Sequence, residues 1–299
     1  MSKFLVTGGA GFIGSNIVDH LILNNHDVTV IDNECSNSND SFYWNSKANN
    51  YKFDICDYDK IRPIFDGIDY VLHLAAESRI QPAIENPLLA VKTNSFGTAT
   101  ILQCSREAKV KRLVYSSTSS AYGLNSFPNY EDQLDDCLNP YSVSKVSGEK
   151  LCTMYNDLFN LETVILRYFN VYGPRNPSKG QYAPVISIFK RQKDSDEPLT
   201  IVGDGEQRRD FTHVNDVINA NILAATKDID KEFLGTVFNI GTGKNYSINQ
   251  IAKMFNHKSI NVPNRLGESR ITLADNSKAK NTLSWTPNID IESWIVNNI

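Results

Sequence analysis

Apolar positions at the start of the chain form a short run, Lys3–Thr7, that ends in a glycine-rich turn. Phe12, Ile13, Ile17, Val18, Leu21 and Ile22 then recur at helical spacing, so a helix is expected to follow the strand. Asp27–Ile31 has the pattern of the next strand, whereas Asn33–Asn50 is polar, rich in Asn and Ser, and predicts irregular chain. Further short strands are expected over Tyr51–Phe53, Tyr70–Leu74, Arg112–Ser116 and Val164–Arg167. Helical patterns fall between them, over Tyr58–Phe65, Pro87–Ala108 and Tyr141–Phe159. Pro87 suits a first helical turn, where its missing N–H costs little, and Asn139-Pro140 opens the last of these helices. Strands alternating with helices imply right-handed crossovers and a doubly wound parallel sheet of the α/β class. After Tyr172 the pattern loosens and Gly and Pro punctuate it, at Gly173-Pro174, Pro177, Gly180, Pro198 and Gly203-Asp204-Gly205. Residues 1–171 are therefore read as one domain and 172–299 as a smaller C-terminal lobe, with segments that return to the first.

Composition narrows the class of function. Hydrophobic residues make up 41% and charged residues 21% of the 299 positions, ordinary for a globular protein. A net charge of −4 supplies no basic field for nucleic acid or for an anionic membrane. Cys35, Cys56, Cys104, Cys137 and Cys152 are scattered, odd in number and without a C-x-x-C pair, so neither a disulfide framework nor a zinc site is expected, and no metal is assigned. Scattered thiols and an N-terminus without a leader pattern lead to the expectation of a cytoplasmic protein.

The glycine-rich turn carries chemistry. Gly8, Gly11 and Gly14 form G-x-x-G-x-x-G between a strand and a helix. Dinucleotide binding needs this arrangement: a tight turn, a backbone that can approach a pyrophosphate, and a helix N-terminus with free N–H groups. The context makes the sheet Rossmann-type. Asp32 closes the second strand 18 residues beyond Gly14, where a carboxylate accepts hydrogen bonds from ribose hydroxyls and repels a 2′-phosphate. NAD is therefore the expected cofactor. Tyr141 and Lys145 lie four residues apart and share a helix face. An ammonium beside a phenol favours the phenolate, so the pair is expected to serve as a general base.

Taken in order, Thr7–Gly14, His73–Ala76, Asn94–Thr98, Ser116–Gly123, Tyr141–Lys145, Arg167–Arg175, Gly203–Val214 and Arg265–Asp275 resemble the extended short-chain dehydrogenase/reductases, within them the NAD-dependent nucleotide-sugar epimerase/dehydratases. The resemblance spans nearly the whole chain and looks nearest to the 4-epimerases of UDP-hexoses and UDP-N-acetylhexosamines. It implies roles. Thr118, four residues before Tyr122, matches the hydroxyl that bonds the sugar; Tyr141 would be the base, and Lys145 would bind the nicotinamide ribose and tune it. Cofactor contacts are implied for Gly8, Gly11, Phe12, Ile13, Gly14, Asp32, Asn33, the adenine pair Asp54 and Ile55, Leu74, Ala75, Ala76, Asn94 and Phe169. Substrate contacts are implied for Ser78, Asn170, Thr200, Val202, Arg209, Arg265 and Thr272, with Asn170, Arg209 and Arg265 at the nucleotide diphosphate. His73 and His213 are assigned to structure, and Arg208 is read as a solvated charge.

The resemblance also frames the reaction. In the family a 4-keto sugar has several fates, and dehydratases carry an Asp-Glu pair after the catalytic Thr, decarboxylases a Glu. Here the segment is Thr118-Ser119-Ser120, and serines do no such acid–base work at neutral pH. Epimerisation through a transient 4-keto intermediate is thus expected, with UDP-glucuronate epimerase or decarboxylase, 4-reductase and a non-catalytic dinucleotide sensor as alternatives. Thr272 matches the position that gates the sugar pocket, and its small side chain leaves room for a 2-acetamido group, so UDP-GlcNAc/UDP-GalNAc is expected beside UDP-Glc/UDP-Gal. A homodimer is implied through Pro87–Ala108 and Tyr141–Phe159, with Leu151, Met154 and Leu158 as candidate contacts.

Overall fold

A computed structural model describes residues 1–36, 39–179, 183–264 and 269–299. Its centre is a parallel sheet of strands β1 (Lys3–Thr7), β2 (Asp27–Ile31), β3 (Asn49–Tyr51), β4 (Tyr70–His73), β5 (Arg112–Thr118), β6 (Glu162–Tyr168) and β7 (Val237–Ile240). They lie in the order β7-β6-β5-β4-β1-β2-β3, every neighbouring pair parallel. The chain winds outward from β1 to β3, then returns to place β4 on the other side of β1. The crevice beyond the carboxyl ends of β1 and β4 is therefore a topological switch point, where ligands of open α/β sheets bind.

The strands read as continuous apolar runs because both faces are covered. Phe4, Val6, Val28, Val30, Leu72, Val114 and Leu166 face α1 (Phe12–Leu23) and α5 (Val214–Thr226). Leu5, Val71, Leu113, Tyr115 and Ile165 face α2 (Thr98–Glu107) and α3 (Pro140–Phe159). In α1, Ile17, Val18 and Leu21 are fully buried, so Leu21→Ala costs about 2–5 kcal/mol. The segment after Tyr172 builds its own core from Tyr172, Phe189, Leu199, Phe211, Ile251 and Phe255, around α4 (Val185–Asp194) and α6 (Ile248–Phe255).

Several elements differ from the sequence pattern. The β3 strand starts at Asn49, two residues before the expected Tyr51; all three of its residues are exposed on the sheet edge, so no apolar alternation marks it. The expected helix Pro87–Ala108 contains a wide π turn at Lys92–Gly97. The Tyr58–Phe65 stretch is one α turn followed by a 3-10 turn, with Pro63 at its start. Residues 214–240, in the loosely patterned half, supply α5 and β7 to the sheet.

α3 carries the Tyr141–Lys145 pair, and its ends are specified locally. Asn139 accepts the Ser142 N–H at 2.9 Å, Ser142 reciprocates, Pro140 occupies the first turn, and Asn160 ends the helix in a left-handed conformation. Glu149 then locks the helix to the sheet. Its carboxylate accepts Arg167 Nε at 2.8 Å and Nη2 at 2.6 Å, and also the Ser117 hydroxyl. Arg167 pairs a second time with Asp135 at 2.5 Å and lies over the Tyr122 ring. Glu149 and Arg167 are each only 2% exposed, so removing one partner strands a buried charge. We expect Glu149→Ala to lower the free energy of unfolding by about 3–5 kcal/mol in urea titrations, and Glu149→Leu/Arg167→Met to recover most of that loss.

Candidate active site

A cavity of about 510 Å³ opens at the switch point, between the sheet and the C-terminal lobe. Gly8, Gly11, Phe12, Ile13, Gly14, Asp32, Asn33, Ile55, Leu74, Ala75 and Ala76 line its sheet side. Thr118, Tyr141 and Lys145 stand at the middle, and Ser78, Asn170, Thr200, Val202, Arg209 and Thr272 line the rest. Three expected positions lie off the lining. Asp54 caps a turn by accepting the Cys56 N–H at 2.8 Å. Asn94 is fully buried and clasps the backbone of Glu77. Phe169 packs behind the wall with Tyr122 and Ala274. Arg265 falls outside the described residues.

The glycine turn fits a dinucleotide. A Cβ at Gly14 would stand 2.1 Å from the Gly8 carbonyl oxygen, and one at Gly8 (φ +69°) would stand 2.7 Å from Ala75 N. These two glycines are demanded by the turn itself. A Cβ at Gly11 meets only ordinary contacts, 3.4 Å or more away, so the protein's own packing does not require glycine there. Its bare face lines the cavity at the start of α1, which has no side-chain cap, as the close approach of a pyrophosphate to helix N–H groups demands. Asp32 accepts the N–H groups of Ala10 at 3.1 Å and Glu34 at 2.8 Å. Burial nevertheless raises its pKa from the ordinary carboxylate value.

Lys145 is buried at 3% exposure, its ammonium 4.2 Å from the centre of the Tyr115 ring. Burial pushes its pKa down to about 7, with the Cys152 thiol and Glu149 acting against that. Tyr141 is half-buried as a residue, yet burial of its oxygen is the dominant influence and raises its pKa. The Thr118 hydroxyl bonded to Tyr141 and the charge of Arg79 work in the opposite direction. Arg79, which the sequence reading passed over, is thus a cation that favours the phenolate. Thr118 itself accepts the Ser120 N–H at 3.1 Å, which fixes its hydroxyl at the end of β5.

On the lobe side, Asp210 organises the wall. Its carboxylate, fully buried, accepts the N–H groups of Thr242, Gly243 and Ala274 and the Thr242 hydroxyl. Arg209, the preceding residue, donates to the carbonyls of Arg208 at 3.0 Å and Arg270 at 3.2 Å. Asn170 spends both amide hydrogens within the protein, on the Asp210 carbonyl at 2.9 Å and the Thr272 hydroxyl at 3.2 Å. Its remaining polar atom, Oδ1, is an acceptor. Arg208, read as a solvated charge, instead holds Asn245 through its side chain and carbonyl, each at 2.8 Å.

Other lining residues escaped the sequence reading. Arg79 follows Glu77-Ser78 after the Ala75-Ala76 pair, and its charge was the available signal. Phe42, Phe53, Phe211 and Ile248 form apolar walls, and nothing local separates them from core residues. Among the described residues no group of three or more His, Cys, Asp or Glu side chains could hold a metal, and no helix is long and apolar enough to cross a membrane.

Comparisons with known proteins agree with this geometry. The chain is 38% identical to a putative UDP-glucose 4-epimerase of Methanocaldococcus jannaschii, over 98% of both chains. Its fold superposes with a TM-score of 0.92 on UDP-glucose 4-epimerase of Thermotoga maritima, solved with UDP-glucose, at 36% identity and covering 98% of this chain and 96% of that one. UDP-glucuronic acid 4-epimerase of Bacillus cereus, solved with UDP-glucuronic acid and NAD, gives a TM-score of 0.88 at 33% identity, with the same shares covered. A family model matches residues 4–241, nearly the whole sheet together with α3 and much of the lobe, and the chain belongs to the family it describes, the NAD dependent epimerase/dehydratase family.

Proposed function

We propose that the protein is an NAD-dependent 4-epimerase of UDP-hexoses, acting on UDP-Glc/UDP-Gal and on UDP-GlcNAc/UDP-GalNAc. The observation that carries this reading is the wall beside Tyr141. Thr118, Ser119 and Ser120 line it, and among the described residues of the cavity the sole carboxylate is Asp32, at the end of β2. Hydroxyls bind a sugar but supply no acid for eliminating water. The glycine turn and Asp32 would hold NAD, which would supply a reversible hydride acceptor. Tyr141 takes the proton of the sugar hydroxyl and later returns it, Thr118 orients that hydroxyl, and Lys145, whose pKa burial lowers to about 7, holds its proton loosely beside them. Arg209 fits one side of a diphosphate, and Asn170 Oδ1 accepts from a ligand hydroxyl.

The direct test is an NMR time course of purified protein with UDP-Glc, UDP-GlcNAc and UDP-GlcA without added cofactor. Interconversion of the first two supports the reading; turnover of UDP-GlcA alone, or a demand for stoichiometric NAD, overturns it. Tyr141→Phe keeps the ring and loses the exchangeable proton, so kcat should fall at least about a hundredfold while calorimetric binding of UDP-glucose persists. Wild-type turnover in that variant would remove Tyr141 from the mechanism.

Thr272 is 6% exposed and its hydroxyl accepts both Asn170 Nδ2 and the Asp210 N–H, so a substitution there disturbs more than pocket size. Thr272→Val, which deletes the hydroxyl at nearly constant shape, serves as the reference. Relative to it, Thr272→Tyr should depress kcat/KM for UDP-GlcNAc about tenfold more than for UDP-Glc, because the extra ring excludes only the larger sugar. Equal losses would refute the gating role.

A homodimer is the assembly we propose, through helices 87–108 and 140–159. Leu88, Val91, Phe96, Val143 and Leu158 are exposed along them. Leu151 and Met154, expected on this face, pack partly against their own core. Light scattering at micromolar protein should give twice the chain mass, and Leu88→Asp/Val143→Asp should give the monomer.

A further inference from the structure

Five buried side chains that no step of the reaction uses, Thr7, His73, Thr98, Asn94 and Ser144, run between the glycine turn and α3, each 0–1% exposed. Their protons can be placed. The Thr98 hydroxyl donates to the Asn94 carbonyl at 2.6 Å. A hydroxyl has one proton to give, so in the 2.9 Å contact between His73 Nε2 and the same oxygen the imidazole is the donor. Nδ1 is then the acceptor, and the Thr7 hydroxyl donates to it at 2.7 Å. Thr7 in turn accepts the Ala75 N–H at 3.3 Å. On the other side, Asn94 Nδ2 donates to the Glu77 carbonyl at 3.0 Å and to Ser144 Oγ at 2.9 Å, while its Oδ1 accepts the Glu77 N–H at 2.8 Å. Ser144 passes its proton to the Tyr141 carbonyl at 2.8 Å.

Every donor along this line points from Ala75 towards Tyr141. One end lies under the cofactor turn, since Gly8 follows Thr7 and its α-carbon hydrogen faces the Ala75 backbone. The other end is the backbone of the residue that carries the proton-transferring phenol. Asn94 sits in the π turn at Lys92–Gly97, and the wider turn is part of the geometry that lets one residue offer its carbonyl to Thr98 and its amide to Ser144. Burial, and the charge of Lys145, push the His73 imidazole down to about 3, so the ring keeps one protonation state throughout the neutral range.

We propose that this line is a strut: His73, Thr98, Asn94 and Ser144 are positioning residues that hold Tyr141 in register with the glycine turn. The proposal rests on the reading of Tyr141 as the group that moves the sugar proton. Misplacement of a reacting group by a fraction of an ångström costs rate without costing ligand affinity, because the binding contacts lie elsewhere.

Thr98→Val tests it, since the side-chain shape is kept and both hydrogen bonds are lost. Its kcat should fall at least about tenfold while KM for UDP-glucose stays within about twofold and calorimetry still shows NAD binding. Thr98→Ser should restore kcat. Hydrogen-exchange mass spectrometry should show faster exchange in Thr98→Val at both ends of the line, near residues 7–10 and 141–145, and ¹⁵N NMR of the wild-type protein should find His73 as the Nε2–H tautomer. If Thr98→Val does not fold, Ser144→Ala breaks the line at its far end, with the same expectations. Wild-type kcat in the variant that folds, an equal loss in Thr98→Ser, exchange confined to the neighbours of residue 98, or the Nδ1–H tautomer would each overturn the strut. If the wild-type protein turns over no nucleotide sugar, the functional reading fails by itself, and the tautomer and the exchange pattern still decide whether the line is a strut.

Discussion

The Glu149–Arg167 pair joins α3 to β6 inside the protein, and the middle of the cavity takes its position from it. Glu149 lies one helical turn beyond Lys145 and two beyond Tyr141, so a carboxylate anchored on Arg167 also fixes the height of both along the sheet. The same carboxylate accepts the Ser117 hydroxyl, next to Thr118. One buried charge pair thus sets the helix that carries the phenol and the strand end that carries the hydroxyl beside it. Asp135, Ser117 and the Tyr122 ring add to what offsets the desolvation of both charges.

Charge is arranged around that middle with little cancellation. Asp32 lies at the end of β2, while Arg79, Lys145 and Arg209 line other parts of the cavity. A diphosphate entering between them meets positive charge and helix N–H groups, and a phenol near them is easier to deprotonate than burial alone allows. Lys145 feels burial strongly enough that its proton is held loosely near pH 7, whereas its neighbour His73 has lost the competition and stays neutral. Two titratable groups beside the Tyr115 ring therefore differ in protonation, one a cation near its pKa and the other a neutral hydrogen-bond link.

The lobe places its residues by a different principle. Asp210 is invisible to ligand yet gathers three backbone segments, and Arg209, Asn170 and Thr272 are held by carbonyls, amides and one another. Sequence could name Asn170 and Thr272 separately; the bond between them exists only once β6 and the segment near residue 272 meet. That contact engages the Asn170 amide within the protein and makes Thr272 a clasp as well as a wall.

What the sequence determined by itself is the part written in local periodicity and in short motifs. Apolar runs such as Lys3–Thr7 and Arg112–Ser116 are legible because strands covered on both faces admit little else. The turn Gly8–Gly14 is legible because sterics leave only glycine at two of its positions, and Asn139-Pro140 because capping is local chemistry. The tertiary structure decided the rest. It alone made Val237–Ile240 the edge of the sheet, placed Asp54, Asn94 and Phe169 off the cavity wall, brought the charge of Arg79 to bear on Tyr141, and joined His73 to Thr98, 25 residues away. Each of these depends on which distant groups compete for one proton or one patch of buried surface, and that competition begins only after the chain has folded.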